Sequence, residues 1–123
     1  MVLVDTSIWI DHLRYRVDSL AALLNDNQVS MHPMVIGELA CGQFKNRQTV
    51  LKQWGQLPEV KLANHKEVMF LIEHHDFMGK GIGYVDAHLL AACKLDGNIQ
   101  LWTRDKRLAQ LAELLNIAFH PLH

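Results

Sequence analysis

The chain opens on an apolar run, Met1 to Val4, that breaks at Asp5 and resumes at Ile8, Trp9 and Ile10. A short run without polar alternation predicts a strand buried on both faces, as in a parallel sheet covered by helices. Asp5 then lies at the carboxyl end of that strand, and Asp5 or Thr6 caps a helix whose inner face is Ile8, Trp9 and Leu13. Leu20, Leu23 and Leu24 stripe a second helix over Ser19–Leu24, and Asn25, Asp26 and Asn27 turn the chain. Gln28–His32 reads as a strand. Pro33 suits the first residue of the next helix, which continues through Met34–Cys41, because its missing N–H would be unpaired there anyway.

The later pattern repeats this alternation. Phe44–Trp54 predicts a helix with Val50, Leu51 and Trp54 inward, closed by Gly55 and Pro58, and Val60–Ala63 a third strand. Asn64 with Glu67 three residues on has the spacing of a capping box, ahead of Val68, Met69, Leu71 and Ile72. Gly79, Gly81 and Gly83 make a loop. An apolar helix runs from Tyr84 or Val85 to Leu95, Ile99–Thr103 is a strand, Asp105–Leu115 a helix striped by Leu108, Leu111, Leu114 and Leu115, and Ile117–Phe119 a last strand. With no repeat and no linker, residues 1–123 are expected to form one three-layer α/β/α domain with a mainly parallel central sheet.

Composition narrows the setting. Half of the 123 residues are hydrophobic and a fifth charged, with a formal net charge of −1, so no global basic field attracts nucleic acid and any such binding must be local. Cys41 and Cys93 lack the spacing of a redox or zinc pair and are expected to be reduced, buried thiols of a cytoplasmic protein. No apolar stretch is long enough to cross a bilayer, so no membrane partner is expected.

Against this background three acids stand apart. Asp5 is the only formal charge among the first ten residues, Glu38 the only one from Asn27 to Phe44, and Asp86 the only one from Gly81 to Cys93. A carboxylate among apolar neighbours is costly singly, but several around a hard cation are stable, because Mg²⁺ takes oxygen ligands. Asp105 follows its strand as Asp5 follows the first. Each acid also has a structural reading: Asp5 and Asp105 as helix caps, Asp86 as a first-turn acid favoured by the helix dipole, Glu38 as an exposed helical residue. Other acids, among them Asp11, Asp18 and Asp76, sit beside bases or in polar turns and read as solvated surface.

The segments VDTSIWIDHLR (Val4–Arg14), GELACG around Glu38, GKGIGYVDAHLLAA (Gly79–Ala92) and LWTRDKRL (Leu101–Leu108) together resemble the PIN domain of VapC-type toxins over essentially the whole chain. That resemblance implies that Asp5, Glu38, Asp86 and Asp105 match the family's acidic quartet, with Thr6 and Thr103 at its companion hydroxyl positions. It implies a metal-dependent endoribonuclease, the toxin of a type II toxin-antitoxin module, commonly homodimeric and neutralised by a cognate antitoxin, leaving 3′-hydroxyl and 5′-phosphate ends. The expected chemistry needs no protein nucleophile: the carboxylates hold Mg²⁺, or Mn²⁺ in its place, and a water activated by the ion attacks phosphorus in line.

Arg104, Lys106 and Arg107 flank Asp105 and either meet substrate phosphates or balance the acidic rim. Arg14, Arg16, Lys45 and Arg47 are further surface bases that would serve RNA or an antitoxin. The eight histidines include no HxxxH or HExxH spacing, so a histidine metal site is not expected, and His88 reads as a packing residue. Trp9, Trp54 and Trp102 fall in apolar periodic contexts that suit core or dimer packing. Two alternatives accompany the nuclease reading. One is a PIN-like module that binds RNA or a partner without cutting; the other is a receiver-like phospho-acceptor, which would want a paired acid beside Asp5 and an isolated late lysine.

Overall fold

A computed structural model describes residues 1–121. Val2–Val4 forms strand β1, all three residues buried. It is followed by helices α1 (Thr6–Tyr15) and α2 (Asp18–Asn25), strand β2 (Val29–Ser30), helices α3 (Pro33–Ala40), α4 (Arg47–Gly55), α5 (His65–His74) and α6 (Tyr84–Leu95), strand β3 (Gln100–Trp102) and helix α7 (Lys106–Leu114). The strands pair in the order β2-β1-β3, all parallel, with Val2 opposite both Val29 and Gln100. A strand paired on both edges and covered on both faces has no position for a polar side chain, which accounts for the unbroken apolar start.

Two further segments extend the sheet by single bridges. Met31 pairs in parallel with Glu59 beyond β2, and Leu101 with Ala118 beyond β3. The chain therefore builds outward from β1 to one edge, crosses over, and builds outward from β3 to the other. Right-handed crossovers put the helices of the two directions on opposite faces, α1–α4 on one and α5–α7 on the other, giving the three-layer α/β/α arrangement. Contacts of α1 with α3, α3 with α4 and α5 with α6 agree with this division. The reversal of direction between β1 and β3 makes a topological switch point, and in open α/β sheets the crevice there lies at the carboxyl ends of the strands.

Several expectations need correction. Val60–Ala63 is not a strand: Met31 N donates to Pro58 O and Val60 N to Met31 O, and pairing stops there. Ile117–Phe119 likewise shrinks to hydrogen bonds around Leu101. Helix α4 begins at Arg47 rather than Phe44, because Asn46 lies in the left-handed region at φ 56°; Phe44 is apolar to pack on Trp54, with ring centroids 5.4 Å apart, and not to stripe a helix. Leu13 and Leu114, expected inward, are exposed. Cys93 is buried, and burial pushes its thiol up to about 12, whereas Cys41 is exposed.

The predicted caps are present. Asn64 Oδ1 accepts from Glu67 N while Glu67 Oε1 accepts from Asn64 N, the reciprocal capping box. Pro33 opens α3 with His32 as its cap, the imidazole Nδ1 accepting from Met34 N at 3.0 Å. Trp9, Trp54 and Trp102 are all buried, as their periodic positions predicted.

Candidate active site

The site starts from a backbone hydrogen bond. Asp5 N donates to Trp102 O at 2.9 Å, closing the β1–β3 ladder at its carboxyl end and setting Asp5 beside Thr103. Only 7% of Asp5 is exposed. Burying a carboxylate is tolerable where donors replace water, and three do so: Thr6 N meets Oδ1 at 2.7 Å, and the Ser7 and Thr103 hydroxyls meet Oδ2 at 3.0 and 2.7 Å. Thr103 Oγ1 in turn accepts from Asp105 N at 3.1 Å, so one hydroxyl ties Asp5 to Asp105. Asp105 caps α7, its Oδ1 accepting from Arg107 N and Leu108 N.

Glu38 and Asp86 reach this edge from opposite layers. Glu38, exposed on α3, accepts the Thr6 hydroxyl proton on Oε1 at 2.7 Å. Asp86, part-buried in the first turn of α6, accepts from Gly83 N on Oδ2 at 3.1 Å. Burial raises the Asp86 carboxyl above its ordinary value, and the negative charges of Asp5, Asp105 and Glu38 raise it further, against the Gly83 N–H, which lowers it. Four acids from four parts of the chain thus share one electrostatic neighbourhood. The structural readings hold at the same time, since Asp5 and Asp105 are caps and Asp86 holds the start of α6. Among the described residues no three metal-ligating side chains converge as a closed ligand set. Glu38 Oε2, Asp86 Oδ1 and Asp105 Oδ2 have no protein hydrogen-bond partner among those residues.

The bases divide in a way that local sequence did not show. The Arg104 guanidinium pairs with Asp11, so Asp11 is no freely solvated acid. Arg47 donates to Ala40 O and Gly42 O and closes the end of α3, while exposed Arg16 pairs with Asp18. Lys106 and Arg107 are exposed. Ser7 was missed as a site residue. Its hydroxyl donates to Asp5 and accepts from Arg104 N at 3.3 Å, and the available signal was a hydroxyl in the turn that Asp5 caps. A surface cavity of about 370 Å³ walled by Ile10, Leu13, Leu39 and Phe44 opens beside Glu38. A more apolar one of about 340 Å³ between Phe70 and Leu95 touches none of the four acids.

His32 and His88 pack against each other in the interior. His88 is buried, its ring centroid 6.0 Å from that of His32 and 4.6 Å from that of Tyr84. Burial, helped by the nearby His88, lowers His32 to about 4, so it is a neutral acceptor at the start of α3.

The chain belongs to the PIN domain family, matching it as "PIN domain" over residues 2–114. More narrowly it is of the VapC type. It is 46% identical over 108 residues, 88% of this chain and 87% of theirs, to Ribonuclease VapC32 from two strains of Mycobacterium tuberculosis. The fold is also similar to the crystal structure of FitAcB from Neisseria gonorrhoeae, with a TM-score of 0.66 at 20% identity, covering 100% of this chain and 99% of that one.

Proposed function

We propose that this chain is a divalent-metal-dependent endoribonuclease, the toxin of a type II toxin-antitoxin module held in check by a cognate antitoxin. In this reading Asp5, Glu38, Asp86 and Asp105 hold Mg²⁺, with Mn²⁺ as a substitute, and RNA is the substrate. The observation that supports it is the meeting of four acids far apart in sequence: Thr6 and Thr103 join Asp5 to Glu38 and Asp105, and Asp86, raised first by burial, is raised further by the charges of the other three. A cluster that resists its own ionisation is balanced by a cation. The donor set fits that cation, being all oxygen, with free carboxylate oxygens on three of the four acids. The open arrangement suits Mg²⁺, which keeps several waters and takes few protein ligands.

When bound, the ion supplies an activated water and charge neutralisation at phosphorus. The protein's part is to hold the ligands. Thr6 N, Ser7 and Thr103 hold Asp5 oriented, and Thr6 and Thr103 link it to Glu38 and Asp105. Ribonuclease VapC32, the relative similar over most of the chain, carries ribonuclease activity in its name, which supports RNA as the substrate here. The test uses chain purified free of antitoxin. It is expected to cut single-stranded RNA with Mg²⁺ or Mn²⁺, and EDTA or Asp5→Asn is expected to abolish cutting; full cleavage by Asp5→Asn refutes the proposal. Growth arrest on induced expression, relieved by the neighbouring reading frame, tests the toxin role, and sedimentation tests the homodimer.

A further inference from the structure

Of the three bases around Asp105, we infer that Arg107 is the one that meets the RNA backbone, seated for that purpose across Gly81; this rests on the ribonuclease reading above. Arg104 is already paired with Asp11. Arg107 lies differently. Gly81 has φ +82°, in the region that favours glycine, and a Cβ built on it would fall 2.6 Å from Arg107 Nη1 and 2.9 Å from Nε, with Cδ nearer still. The guanidinium stem therefore rests directly on the glycine backbone.

That seat joins two segments of the site. Gly81 lies two residues before Gly83, whose N–H holds Asp86, and the Arg107 N–H is itself held by Asp105 Oδ1. Yet the Arg107 side chain has no ion-pair or hydrogen-bond partner among the described residues, and the charges that act on Asp86 are all negative. An exposed arginine lying against Gly81 at an acidic rim without pairing with any acid is free to take an anion from outside. A planar guanidinium suits a phosphate oxygen pair, and an RNA strand brought to the carboxylates presents phosphates on either side of the one being cut. Lys106, exposed on the same turn, has no comparable seat.

The test measures binding of a short single-stranded RNA by fluorescence anisotropy across a salt series, alongside cleavage, for the native chain and the variants R107A, R107K, R104A and G81A. R107A is expected to bind roughly tenfold more weakly at low salt and to lower the salt slope by about 0.7, the value for one single-strand phosphate contact. R107K should keep the slope and lose part of the affinity, and R104A should keep the slope. G81A retains every charge, so a fall in slope matching R107A shows that the seat matters; circular dichroism confirms that it is folded. Native binding that R107A leaves unchanged overturns the role of Arg107 alone. A native chain that neither binds nor cuts RNA brings down the ribonuclease reading and this inference with it.

Discussion

Removing the Thr103 hydroxyl probes the Asp5 network at its narrowest point, because that one oxygen donates to Asp5 and accepts from the Asp105 backbone. Thr103→Val is expected to cut RNA cleavage by about 10- to 100-fold, the range found when a metal ligand loses its supporting partner. Steady-state rates with Mg²⁺ check it, and native activity in the variant would detach the hydroxyl from the site. Asp86→Asn should separate function from stability. A carboxyl whose value is raised by folding favours the fold while protonated, and that contribution is lost as pH rises through the folded value. At neutral pH and without metal, the amide variant should be at least as stable as the native chain in a urea titration, while cleaving no RNA. Asp5, Glu38 and Asp86 stood out because each interrupts an apolar stretch whose burial has a physical cost, whereas Asp105, set between Arg104 and Lys106, stood out only by its place after a strand. The Arg104–Asp11 pair spans 93 positions, and nothing in either local pattern announces a partner so distant.

Helices declared themselves where their ends carry capping chemistry. The Asn64–Glu67 box is wholly local, so sequence spacing determined it, and Asn64→Ala should cost about 1 kcal/mol in chemical unfolding with cleavage unchanged, since α5 brings no acid to the site. The edges of the sheet were less legible. Val60–Ala63 and Ile117–Phe119 have strand-like apolar residues, but an outer segment has a neighbour on one side only, and here pairing is limited to one bridge each. Helix α3, which carries Glu38, brings a pH dependence of its own. His32 falls from 6.5 to about 4 on folding, so neutral His32 stabilises the protein above 6.5 and that contribution drains away as pH falls toward 4. Its full size is on the order of 3 kcal/mol. Denaturant midpoints measured from neutral to acid pH should fall more steeply for the native chain than for His32→Asn, which keeps an acceptor at the cap but cannot titrate.

At the scale of the whole molecule, a net charge near zero conceals an uneven distribution: Asp5, Glu38, Asp86 and Asp105 act on one another at one edge of the sheet, while nearby Arg104 pairs with Asp11 and not with them. Under the proposed function a cation relieves the repulsion among them, and anything that binds only the folded state stabilises it by mass action. Mg²⁺ at about a hundred times its dissociation constant should add about 2.7 kcal/mol, a rise of roughly 10 °C in Tm for a domain of this size. The rise should vanish with EDTA and in Asp5→Asn, and persist in Asn64→Ala. It should also shrink in acid, where protons compete with the ion for carboxylates and the raised Asp86 carboxyl is protonated more readily than an ordinary aspartate. Calorimetry over a Mg²⁺ series checks all of this without reference to catalysis. An equal rise in Asp5→Asn would put the cation somewhere other than the sheet edge, and the carboxylate cluster would then be four helix-end acids that happen to be neighbours.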